Sequence, residues 1–132
     1  MVTIAVPRKF VERCQRYLRE NPMAGNDVAD FIARCGRLGL LYLEKLTTAE
    51  ERAHCEAPRN TRKPDWLIND GEVIDNRGYR GEKVYLHVPE RDFRRIDELV
   101  VKKLGITNTV VSWYILCVFN VLAGYWQLPP KV

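Results

Sequence analysis

The sequence is short of the residues on which chemistry is usually built. Its 132 residues hold two histidines and four cysteines, and no glycine-rich phosphate loop. Cys14, Cys35, Cys55 and Cys117 lie twenty or more residues apart, so the C-x-x-C spacing of zinc and thiol-redox sites is missing. His54-Cys55 is an adjacent pair without further ligands nearby, and no metal site is expected. Paired acids such as Glu50-Glu51 and Asp97-Glu98 sit in charge-rich helical contexts and are expected at the surface. With no nucleophile, base and orienting group to combine, an enzyme is not expected, nor any cofactor. The start, MVTIAVPRKF, lacks the basic flank and long apolar core of a signal peptide. Cys14, Cys35 and Cys117 lie among apolar residues, where a thiol behaves as a small hydrophobe. A reducing cytoplasm is the expected setting.

What is present is an ordinary folding composition, 46% hydrophobic and 29% charged, sized for one compact domain or two very small ones. The net charge of +4 is compatible with nucleic acid or an anionic surface as partner.

The most informative feature is an internal repeat. A shift of 82 positions lays residues 2–46 over 84–128 without a gap. Val6/Val88, Pro7/Pro89, Asn26/Asn108 and Cys35/Cys117 are among the identical pairs. Ile4/Leu86, Val11/Phe93, Leu18/Val100 and Phe31/Trp113 are similar, at positions where a shared core pattern would place them.

Each copy reads as strand, helix, turn, helix. VTIAV (2–6) and KVYLHV (83–88) are β-branched and aromatic runs that stop at Pro7 and Pro89, residues suited to a first helical turn. Val11, Cys14, Tyr17 and Leu18 then repeat at helical spacing, as do Phe93, Ile96, Leu99 and Val100. The first helices are expected to end near Asn21-Pro22 and Leu104-Gly105. The second begin at Asn26-Asp27 and Thr107-Asn108-Thr109 and run to about Leu46 and Trp126. Residues 1–46 and 83–128 thus read as two copies of one unit. Residues 47–82 are expected to form a linker, helical at first (TAEERAHCE) and then loop, with Trp66, Leu67 and Ile68 expected to dock on the body. Its six basic and eight acidic residues leave a net +3 on each side of it.

The stretch KVYLHVPERDFRRIDELVVKKLGITNTVVSWYIL, residues 83–116, resembles the ribbon-helix-helix (MetJ/Arc) superfamily. VTIAVPRKFVERCQRYLREN followed by GNDVADFIARC is similar but more diverged. The resemblance implies a mainly α fold with one two-stranded antiparallel β-ribbon. Two copies in one chain imply a TraY-like single-chain pseudo-dimer, folded into one compact domain. The function implied is sequence-specific binding of double-stranded DNA, as in a transcriptional regulator, with the ribbon in the major groove.

Strand alternation sorts the side chains. Val2, Ile4, Val6, Val84, Leu86 and Val88 face the helices. Thr3 and Ala5, with Lys83, Tyr85 and His87, face outward as candidate base readers. The outer face of the first copy is the blander of the two, which favours an asymmetric site. Asn26, Thr107, Asn108 and Thr109 are candidate phosphate ligands at the starts of the second helices, although simple capping explains them equally well. Arg77 and Arg80, just before the second strand, are candidates for a phosphate-binding arm or plain solvated surface.

The second helices differ. VADFIARCGRLGLLYL has a core face of Val28, Phe31, Ile32, Cys35 and Leu38. TVVSWYILCVFNVLAGYW (109–126) carries no charge, so it is expected to be a central helix in preference to a membrane anchor. Trp113, Phe119, Tyr125 and Trp126 are expected to leave part of that helix exposed. They would serve as a surface for a homo-oligomer (a dimer of pseudo-dimers) or a protein partner. The alternatives to DNA binding are an interaction module of the same fold or a tail-anchored membrane protein.

Overall fold

The computed structural model describes residues 1–44 and 82–129. These residues are mainly helical, with four helices and one two-stranded antiparallel sheet. Strand β1 (Val2–Pro7) leads into α1 (Arg8–Glu20), a short 3₁₀ turn (Pro22–Ala24) and α2 (Val28–Glu44). Strand β2 (Lys83–Val88) leads into α3 (Glu90–Ile96), which continues as a π-helical stretch, Asp97–Lys103, before α4 (Val110–Leu122). Helix starts keep the 82-residue interval, since Arg8 and Glu90 open the first helices and Val28 and Val110 the second.

β1 and β2 pair antiparallel, with Val2 opposite Val88, Ile4 opposite Leu86 and Val6 opposite Val84. The period-2 alternation sends these side chains under the ribbon, where Ile4, Val6 and Val88 are buried. Pro7 and Pro89 stand at the helix entrances, where a missing N–H costs no intrahelical bond.

The first helices end differently. In α1 the chain stops at Asn21 before Pro22, and the Asn21 N–H reaches back to the Tyr17 carbonyl at 2.8 Å. In the second copy the π-helical stretch takes up one extra residue, and the connection to the next helix, 104–109 against 21–27, is one shorter. Gly105, at φ 63°, turns the chain out, and the Ile106 N–H closes on the Val100 carbonyl at 2.9 Å.

The core is built around α2 and α4. Phe31, Ile32, Cys35 and Leu38 of α2 are buried as the spacing predicts, and Val28 is half-buried. Gly36 and Gly39 let the two helices approach closely. A Cβ on Gly36 would stand 2.4 Å from Tyr114 Cε1, and one on Gly39 would stand 2.6 Å from Cys117 Sγ. Two glycines three apart therefore form a slot for the aromatic and thiol side chains of α4. The Trp113 indole N–H donates to the Gly36 carbonyl at 3.3 Å, so its polar edge is satisfied inside.

The expected course of α4 needs correction: the helix ends at Leu122, not near Trp126. Gly124 takes φ 81°, its N–H bonds to the Val121 carbonyl, and the Tyr125 N–H bonds to the Asn120 carbonyl at 3.0 Å. That double bond pattern is a Schellman cap, which only a residue tolerant of positive φ can make cheaply. No helix among the described residues is long and apolar enough to cross a membrane. The expectations for the linker, for the ends of the second helices at Leu46, and for Cys55 lie outside the described residues.

Candidate nucleic-acid interface

The outer face of the ribbon brings the five candidate base readers together. Thr3 stands opposite His87, Ala5 opposite Tyr85, and Pro7 opposite Lys83. Thr3, Tyr85 and His87 are exposed, while Ala5 and Lys83 are half-buried. Tyr85, at 70% exposure, projects beside the small Ala5. The Thr3 hydroxyl and His87 Nδ1 are hydrogen-bonded across the strands at 3.0 Å, which orients the exposed imidazole. Two donors or acceptors, a phenol and an ammonium thus share one face of a ribbon of a width the major groove admits.

At one end of the ribbon the strand runs directly into charged residues. The Arg8 N–H donates to the Glu82 carbonyl at 3.0 Å, and the Arg8 guanidinium pairs with the Glu82 carboxylate at 2.8 Å. Lys9, next in sequence to Arg8, is exposed, and Lys83 follows Glu82. The pair is exposed and worth little to stability.

The two helix starts assigned to phosphates differ in charge. At α2, Asp27 accepts from the Asp30 N–H and Asp30 accepts from the Asn26 N–H, both at 2.8 Å. Two carboxylates therefore occupy donors of that turn, and Asn26 sits within a capping arrangement. At α4, Thr109 caps the helix by accepting from the Ser112 N–H at 3.1 Å, and its hydroxyl also donates to Ser112 Oγ at 2.9 Å. The Thr107 hydroxyl donates to the Thr109 carbonyl at 2.8 Å, and Asn108 is exposed. The first turn of α4 carries no acid, so its positive dipole end is not neutralised by its own side chains. Arg77 and Arg80 lie outside the described residues.

The expected partner surface on α4 requires correction. Trp113 is 4% exposed and Phe119 2%, so both belong to the core. Trp113 is seated at the α2 slot, and Phe119 packs on Phe10 with the Arg13 guanidinium 4.8 Å over its ring. A helix apolar almost all round is here covered over most of its circumference, with Val111, Ser112, Leu116 and Leu122 half-buried. Trp126 is half-buried against Tyr42, with ring centroids 5.1 Å apart. Tyr125, beyond the cap, is 63% exposed. The sequence reading did not single out Leu41 and Tyr42, which are exposed near the end of α2. The signal was there: LGLLYL continues its apolar run past the core-facing stripe.

The described cysteines, Cys14, Cys35 and Cys117, are buried free thiols. Burial pushes the Cys14 thiol up to about 12 and raises those of Cys35 and Cys117 as well. They are packing groups, not nucleophiles. Among the described residues no group of His, Cys, Asp and Glu is placed to hold a metal ion. No family model, curated protein or solved structure matches the chain.

Proposed function

We propose that this chain is a double-stranded DNA-binding protein, most simply a transcriptional regulator, that reads the major groove with the outer face of its β-ribbon. In this reading the two copies are ribbon-helix-helix units joined into a single-chain pseudo-dimer. The observation that carries the reading is the clustering of Thr3, Tyr85 and His87, all exposed, with Lys83 on one face of the two-stranded ribbon. Among the described residues the core lies on the other side of the ribbon, and Thr3, Tyr85 and His87 are not part of it.

The parts have distinct tasks. Lys83 donates to guanine acceptors or to a phosphate, and Tyr85 and His87 hydrogen-bond or stack. Thr3 holds the imidazole, and Ala5 offers a methyl to thymine. The acid-free start of α4, with Thr107, Asn108 and Thr109, lies beside a phosphate and fixes the register. Asn26 contributes less, since Asp27 and Asp30 repel an anion. Buried free thiols suit a reducing cytoplasm.

A selection from randomised duplex DNA, repeated at low and high salt, tests the reading. It predicts an enriched motif with affinity falling as salt rises, the signature of groove readout joined to phosphate contacts. Folded protein that retains no duplex at low salt contradicts it.

A second reading has its own observation. Leu41, Tyr42 and Tyr125 expose apolar area beside the half-buried Trp126. We propose that this face, in place of Trp113 and Phe119, serves self-association into a dimer of pseudo-dimers or contact with a protein partner.

A further inference from the structure

We infer that the DNA site of this chain is directional, made of two unlike halves and not a palindrome. The inference rests on the ribbon reading above and deepens it.

An 82-residue shift carries Ile4 onto Leu86, and these two residues are also cross-strand partners. A two-fold operation that exchanges the copies therefore passes through this pair at the ribbon centre. The same operation exchanges the pair Thr3–His87 with the pair Tyr85–Ala5, one on each side of the centre. A palindromic duplex offers the same groups at two such related steps. This ribbon meets them with different chemistry.

On one side stands a hydroxyl bonded to an imidazole, Thr3 and His87 at 3.0 Å. On the other stands a phenol, 70% exposed, beside a methyl group, Tyr85 and Ala5. Beyond them the difference persists, because the counterpart of Lys83 in the first copy is Met1. A lysine ammonium donates to guanine N7 or O6, and a thioether makes only an apolar or weak acceptor contact. No base step that suits one side suits the other equally, so the favoured duplex has a fixed direction on the protein.

The test is selection from randomised duplex DNA with the full chain and with two single variants, Tyr85→Ala and His87→Ala. Both side chains are exposed, so each variant is expected to melt with the parent. The parent is expected to enrich a motif that is not its own reverse complement. Each variant is expected to relax preference in a different half, with roughly tenfold loss of discrimination at the affected step. A self-complementary motif, or both variants relaxing the same steps, overturns the directional site and leaves DNA reading intact. A folded parent that enriches no motif overturns the directional site and the reading together.

Discussion

Ile4 and Leu86 face each other across the middle of the ribbon, and they are also each other's counterparts in the 82-residue repeat. One residue pair thus defines both the strand register and the relation between the copies. A one-residue slip of β1 would turn its buried Ile4 and Val6 outward and break up the inner face of the ribbon.

That register gives the two members of the pair different weights. Ile4 is buried, whereas Leu86 is half-buried. Ile4→Ala should cost about 2–4 kcal/mol, from lost transfer energy and the cavity left behind. Leu86→Ala should cost clearly less. Urea unfolding of both variants checks this, and equal losses would count against the packing described.

Gly36 supports the closest approach of α2 to α4. Gly36→Ala gains helix propensity of about 1 kcal/mol, but its methyl meets the Tyr114 ring at 2.4 Å. The clash is with a fully buried ring, so overpacking should win and the net loss should be about 1–3 kcal/mol. A melting temperature equal to or above the parent's would refute the slot.

Stability should fall on the alkaline side. Cys14 has its thiol pushed from 9.0 up to about 12 by burial, and burial raises Cys35, Cys117 and Tyr114 as well. The folded chain keeps protons that the unfolded chain has released. The stabilisation is complete below the ordinary thiol value and drains away between about pH 9 and pH 12 for Cys14. Each thiol contributes a slope of about 1.4 kcal/mol per pH unit. Urea midpoints measured with reductant at rising pH should decline, and Cys14→Ala should flatten the decline. A midpoint independent of pH above 9 would contradict the burial of these thiols.

Much of this architecture was legible because it depends on local rules. Pro7 and Pro89 end the strands, and β-branched alternation sets which faces are buried. Repeated spacing at Val11, Cys14, Phe93 and Ile96 marks the helical faces. The misreadings concern features that depend on the partner element. Trp113 and Phe119 looked like surplus surface because their periodicity was blank, and only the Gly36–Gly39 slot and Phe10 show where they go. The end of α4 was hidden by the apolar run through Trp126, although Gly124 carried the capping signal. The π-helical stretch at Asp97–Lys103 has no sequence signature of its own; it takes up one residue that the following turn lacks.

The candidate interface divides in the same way. The membership of Thr3, Ala5, Lys83, Tyr85 and His87 on one outer face follows from strand alternation alone. Their cross-strand partners, and the bond between Thr3 and His87, require the register. The acid pair that closes the start of α2 could be read from Asp27 and Asp30, but the bond from the Asn26 N–H to Asp30 could not.

Binding of duplex DNA by the outer ribbon face, as proposed above, is tested by equilibrium binding of the parent and of a variant carrying Lys83→Ala, Tyr85→Ala and His87→Ala to a duplex selected by the parent, alongside thermal melting. The account predicts that the triple variant melts close to the parent and loses binding to the selected duplex by at least about a hundredfold. A folded triple variant that binds this duplex as tightly as the parent would place recognition elsewhere on the molecule and contradict the claim.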